Sequence, residues 1–136
     1  MIIFSLIASA ALSTFYFITK SPIEESDAKA KRIFLNQVIS SDLYDNNLVK
    51  DTISVEPTPL LGNKRNIDIY RAKKNNQVIA VIIEVVAPDG YSGEIKTLVG
   101  IDQEDKILGV RVITHKETPG LGDYIEIDKS QWIKNF

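Results

Sequence analysis

The chain has 136 residues, 16 of them basic and 18 acidic, for a net charge of −2. That length suits one domain, and a balance of charge without a basic block argues against a duplex or RNA binder, whose affinity rests largely on neutralised phosphates. The absence of cysteine excludes disulfides, thiolate metal sites, iron–sulfur clusters and thiol chemistry, and a single histidine, His115, excludes a histidine-rich metal site.

The first element is apolar. Met1–Thr19 carries no charge, and its only polar side chains are Ser and Thr, which can bond back to their own helix. As a helix it reaches about 28 Å, close to the hydrocarbon thickness of a bilayer. Phe15, Tyr16 and Phe17 stand near one end, where an aromatic belt belongs. A cleavable signal is the rival reading. It asks for a basic n-region, which is absent, and for a small-x-small site after the apolar run, whereas Ala8-Ser9-Ala10 falls inside it. Residues 1–19 are therefore read as an uncleaved transmembrane anchor. Lys20, Lys29, Lys31 and Arg32 follow on one side, so charge alone would place the body in the cytoplasm.

Residues 20–65 are expected to form a helix and an irregular linker. Ser21-Pro22-Ile23-Glu24 has the form of a capping box with proline at the first helical position. Ala30, Phe34 and Val38, with Ile33 beside them, make one apolar stripe, and the helix should fade around Ser40–Asp42. Asp45-Asn46-Asn47 is a turn cluster. Glu56-Pro57-Thr58-Pro59 and Gly62-Asn63 make an irregular connection.

From Asn66 the period changes to that of strands. Ile67 and Ile69 alternate with Asp68, and Lys73-Lys74-Asn75-Asn76 is a turn. Val78–Val86 has one charge and many β-branched side chains, which predicts a central strand buried on both faces and ended by Pro88-Asp89-Gly90. Ile95–Ile101 and Ile107–Thr114 are further strands around a polar turn at Asp102–Lys106. Connections this short require antiparallel pairing. The fold class is therefore α+β: an N-terminal transmembrane helix, then an amphipathic helix packed on a twisted antiparallel β-sheet.

Two glycine-bearing loops interrupt the meander. Gly90-Tyr91-Ser92-Gly93-Glu94 is the first, and His115–Asp123, containing Pro119-Gly120-Leu121-Gly122, is the second. Pro119-Gly120 suits the central positions of a type II turn, and Gly122 offers a second close approach of backbone to a ligand. On spacing alone the loops read first as two tight connections. Neither is a dinucleotide fingerprint. His115 has Glu117 and Ser92 as candidate partners, and the bland reading is a hydrogen-bonded structural residue.

Gly90-Tyr91-Ser92-Gly93 and Thr114-His115-Lys116-Glu117-Thr118-Pro119-Gly120-Leu121-Gly122 resemble the FMN-binding domain of the G subunit of the Rnf electron-transport complex, a relative of the C subunit of the sodium-pumping NADH:quinone reductase. The anchor, Leu35-Asn36-Gln37-Val38, Tyr44-Asp45-Asn46-Asn47 and Lys129-Ser130-Gln131-Trp132-Ile133 fit the same pattern. The resemblance implies a single-pass subunit of the bacterial inner membrane with its body in the periplasm. It would pass electrons through FMN and would not be catalytic alone. Its partners would be the other membrane and iron–sulfur subunits, with a flavin transferase for maturation.

In such proteins FMN is attached by a phosphoester to a threonine in a Ser-Gly-Ala-Thr type motif. No such motif occurs here, and Ser92-Gly93-Glu94-Ile95 is a different loop. The resemblance puts that motif beyond the stretch similar to Lys129–Phe136. Residues 66–136 are thus expected to be an FMN-binding meander truncated at its C-terminus, with no covalent threonine in the chain. The residues expected at a non-covalent flavin are Tyr91, Ser92, Gly93, Glu117, Thr118, Gly120, Leu121 and Gly122, with N–H groups of residues 120–122 turned to the ring or ribityl chain. Two other readings remain open at this point: a pilin-like structural subunit, against which stand the missing basic leader and Ser5 in place of an acid, and a membrane-anchored binding module without cofactor.

Overall fold

The computed structural model describes residues 2–136, so Met1 of the expected anchor lies outside the described residues. These fall into two compact units, one ending at Lys31 and the other running Arg32–Phe136.

The first unit belongs to helix α1, Ile2–Val38. Its apolar side chains are exposed at Ile3, Phe4, Leu6, Leu12, Phe15, Phe17 and Ile18, and the helix is long and apolar enough to cross a membrane. Thr14 Oγ1 donates to the Ala10 carbonyl at 2.8 Å and Thr19 Oγ1 to that of Phe15 at 2.7 Å. Their hydroxyls are thus satisfied inside the helix, as a lipid-facing segment requires.

No second helix begins at Ser21. Pro22 lies inside α1, so the capping box anticipated there does not form. Proline lacks the N–H that would bond to the Ile18 carbonyl, yet the turns on either side carry the helix through it.

In the second unit α1 ends at Val38, two residues before the expected fade. The buried positions are Leu35, Val38 and Ile39, while Ile33 is 60% and Phe34 38% exposed. The stripe facing the sheet is therefore not Ala30–Phe34–Val38. Two glycines explain the seat of the helix end. A Cβ at Gly100 would lie 2.7 Å from Val38 Cγ1, and one at Gly109 would lie 2.7 Å from the Val38 carbonyl oxygen. The bare backbone of two neighbouring strands is what lets the helix end come down on them.

The sheet is a five-stranded antiparallel meander of β1 (Thr52–Val55), β2 (Ile67–Lys74), β3 (Gln77–Gly90), β4 (Gly93–Asp102) and β5 (Ile107–Thr114), in that spatial order. β1 was hidden within the expected linker. The β2–β3 turn is tighter than the sequence suggested: Lys73 and Lys74 pair with Val78 and Gln77, leaving Asn75 and Asn76 alone at φ 51° and 64°. Two asparagines at positive φ make the primed turn that matches strand twist. β3 also outlasts Pro88, with an irregularity between Ala87 and Gly90 that accommodates the missing donor.

β3 is central, as its composition demands, but it is not buried on both faces. Ala80, Ile82 and Val86 are buried on the helix side, whereas Val81, Ile83 and Val85 are half-buried. The core is one-sided: Leu35, Val38, Ile39, Tyr44, Leu48, Tyr70, Ala72, Ala80, Ile82 and Leu98.

The Asp45–Asn47 cluster does more than turn. The Asp45 N–H donates to the Lys73 carbonyl at 2.8 Å, and the Asn46 side chain accepts from Lys73 N–H at 2.8 Å while donating to the Arg71 carbonyl at 2.9 Å. Asp51 completes the clasp, accepting from Arg71 Nε and Lys73 Nζ, each at 2.6 Å. The Lys73 hydrogen bond chiefly, and then Arg71 against the opposing cost of burial, hold the Asp51 carboxyl below its ordinary value. A depressed carboxyl adds stability that is complete above the ordinary aspartate pKa of about 3.9 and is lost as pH falls through the folded value. Asp51→Asn should therefore lower the thermal midpoint at pH 7, and the gap to the parent should close on acidification below about pH 3.9. Thermal scans of both proteins from neutral to strongly acidic pH test this, and a gap that persists undiminished at the acid end would refute it.

Candidate functional site

Both glycine loops come to the same end of the meander. Gly90 and Gly93 pair across the β3–β4 hairpin and leave Tyr91-Ser92 as a two-residue loop, with Gly93 at φ 139°. A Cβ at Gly90 would fall 2.2 Å from the Gly93 carbonyl oxygen, so this position admits only glycine without a shift of backbone. The tight turn throws Tyr91 outward, 89% exposed.

The second loop leaves β5 at Thr114. His115 organises its start: Nδ1 accepts the Glu117 N–H at 3.0 Å, and Nε2 lies 2.9 Å from Glu126 Oε1. The acceptor role of Nδ1 leaves Nε2 as the protonated nitrogen of the neutral ring. The carboxylate partner of His115 is therefore Glu126, not Glu117, whose contribution is its backbone N–H. Both ring nitrogens of His115 are thus engaged in hydrogen bonds within the fold.

Thr118–Leu121 forms the expected turn, with Gly120 at φ 78° and the Leu121 N–H donating to the Thr118 carbonyl at 3.1 Å. The Gly122 N–H joins the same carbonyl at 2.9 Å, and the Gly120 N–H donates to Asp123 Oδ1 at 2.8 Å. All three N–H groups expected to face a flavin are thus already used within the loop. The turn offers side chains, not backbone donors.

Glu117 joins the loops. Its carboxylate lies where Cβ atoms at Gly90 and Gly122 would come within 3.0 and 2.9 Å of Oε1 and Oε2. Oε1 is buried without a hydrogen-bond partner, one of two such side-chain atoms among the described residues, with Arg111 Nε. Burial also pulls the Arg111 guanidinium below its ordinary pKa.

Around this junction Tyr91, Glu117, Thr118, Leu121, Gly122 and Tyr124 line a cleft of about 390 Å³, a size suited to a small ligand. Five of the eight expected residues meet there. Ser92, Gly93 and Gly120 shape the loops without lining the cleft. Tyr124, half-exposed and edge-on to Trp132 at 5.8 Å, was missed. Its only sequence signal was an aromatic two residues past Gly122.

The span Gly90–Asn135, which holds every residue of the cleft, matches the model of the FMN-binding domain. The chain is 42% identical over 134 residues to the G subunit of the ion-translocating oxidoreductase complex of Buchnera aphidicola subsp. Baizongia pistaciae, covering 98% of this chain and 62% of that one. The same-named protein of Shewanella amazonensis is 40% identical over 133 residues, covering 98% and 62%, and that of Haemophilus influenzae (strain PittEE) 46% over 121 residues, covering 89% and 57%. Over nearly its whole length the chain is similar to these G subunits. It spans about three-fifths of the length of the curated relatives it matches.

An FMN-binding domain needs a slot for a flat ring and a place for a phosphate. The cleft of this chain fits the ring: two phenols and Leu121 border it, and Glu117 and Thr118 supply polar atoms at the edge. It does not fit the phosphate equally, since no Lys or Arg lines it among the described residues and the loop N–H groups are spent. The phosphate end would therefore lie outside the cleft.

Proposed function

We propose that this chain is the membrane-anchored flavoprotein subunit of an Rnf-type ion-translocating oxidoreductase, carrying electrons through FMN. The observation that carries the reading is the convergence of Tyr91, Glu117, Thr118, Leu121 and Gly122 on one cleft inside the span matched by the FMN-binding domain. FMN, when bound, supplies the redox chemistry by taking up and releasing electrons. The chain's own residues orient the ring and limit water around it. Tyr91, Leu121 and Tyr124 give it apolar contact, and Glu117 and Thr118 offer hydrogen bonds at its edge. No acid–base machinery is required of such a carrier.

In this reading residues 1–19 are the anchor, 20–65 connect it to the body and 66–136 belong to the flavin domain. The body stands in the periplasm, and the partners are the membrane and iron–sulfur subunits of the complex. A flavin transferase would attach FMN at a threonine outside the present residues. A segment free of charge from Met1 to Thr19 is consistent with a share limited to one flavin, the ion path being left to other subunits.

The test is titration of the detergent-solubilised chain with FMN, followed by flavin fluorescence. Saturable quenching that Tyr91→Ala and Leu121→Ala weaken supports the cleft, and quenching indifferent to both would remove it. The anchor is tested separately. The mature protein should retain residues 1–19 and stay in the membrane pellet through carbonate extraction, whereas a soluble form starting after about Ala10 would indicate a cleaved signal.

A further inference from the structure

We propose that Asp123 is a positioning residue for the cleft, fixing the Thr118–Gly122 turn in its ligand-ready shape by accepting the Gly120 N–H. The proposal rests on the reading that the cleft takes flavin. Thr118, Pro119, Gly120 and Leu121 are all exposed, and a Cβ at Gly120 would meet nothing within 4 Å. Apolar packing therefore does not hold the apex of this turn. Two bonds to the Thr118 carbonyl close the turn on itself, and they say nothing about how it stands relative to the rest of the fold.

Asp123 supplies that link. The residue is buried, 9% exposed, and Oδ1 accepts the Gly120 N–H at 2.8 Å while its carbonyl accepts the Glu126 N–H at 3.0 Å. One residue thus ties the apex of the turn to the short 3-10 helix Asp123–Ile125 and the chain after it. Lys129 Nζ, 3.5 Å from Oδ2, offsets the carboxylate charge beside a site meant for an anionic cofactor. At the other end His115 Nδ1 holds the Glu117 N–H. Two side chains outside the Glu117–Gly122 stretch therefore hold its start and its apex, and the bond at the apex is charge-assisted.

The test compares the full chain with Asp123→Ala and Asp123→Asn in detergent. The readouts are FMN affinity by fluorescence quenching and hydrogen exchange at the Gly120 amide. The alanine variant, lacking the acceptor, should bind FMN about tenfold more weakly and exchange Gly120 faster. The asparagine variant keeps an oxygen for the Gly120 N–H, so it should stay within about threefold of the parent and retain slow exchange. Equal loss in both variants, or parent-like affinity and exchange in the alanine variant, would overturn the proposal. If the parent itself takes up no FMN, the flavin reading falls and the clamp is decided by exchange alone: slow in parent and asparagine variant but fast in the alanine variant upholds it, and equal rates reject it.

Discussion

Gly90→Ala is expected to abolish flavin uptake and to cost about 3 kcal/mol of stability, the upper range for overpacking a tight site. The added Cβ would lie 2.2 Å from the Gly93 carbonyl oxygen, 2.9 Å from Ile95 Cγ1 and 3.0 Å from Glu117 Oε1. The first of these is backbone and cannot swing aside. The hairpin must open, and Tyr91 and Glu117 leave the cleft together. Gly120→Ala is the informative contrast. Its Cβ would meet nothing within 4 Å, so the cost is the strain of φ 78° alone, about 1 kcal/mol. Flavin affinity should fall far less than for Gly90→Ala. Denaturant melts and FMN titrations of both variants test the ranking, and a Gly120 variant as damaged as the Gly90 variant would show that the apex of the turn, not the hairpin, sets the cleft. Gly120→Val adds a β-branched side chain at the same φ and should cost about 1–3 kcal/mol.

The parts of this fold that were legible in the sequence are those with a local cause. Val78–Val86 announced a central strand through its β-branched run, and Pro119-Gly120 announced a turn needing positive φ, observed at 78°. What escaped depends on residues far apart in the chain. Thr52-Ile53-Ser54-Val55 is too short to show a period, and it becomes β1 only because Tyr70, Ile69, Asp68 and Ile67 lie opposite. The buried stripe Leu35–Val38–Ile39 is selected by bare backbone at Gly100 and Gly109, far downstream in the chain.

The candidate site divides in the same way. Its residue types were readable from two glycine loops, and their meeting through Glu117 follows from the meander. The use of the loop's N–H groups was not readable, because it turns on where the Asp123 carboxylate comes to rest. His115 likewise finds its carboxylate eleven residues away at Glu126, and no spacing rule marks that pair.

The 136-residue chain should acquire no covalent FMN, even when produced with a competent flavin transferase. Phosphoester attachment needs a hydroxyl presented in a loop that the transferase recognises, and no Ser-Gly-Ala-Thr stretch occurs in the sequence. The hydroxyl at the cleft, that of Thr118, borders a space that suits the ring, while the lining lacks cationic side chains for a phosphate among the described residues. In the proposed reading Thr118 would stand at the ring edge, the wrong end of the cofactor for a phosphoester. Flavin held by the Glu117–Gly122 and Tyr91–Gly93 loops alone would be released on denaturation. Intact-mass measurement of the denatured product should therefore give the bare polypeptide. An added mass of one FMN would overturn the argument, and Thr118→Val would be the first variant to ask whether the bond had formed at the cleft.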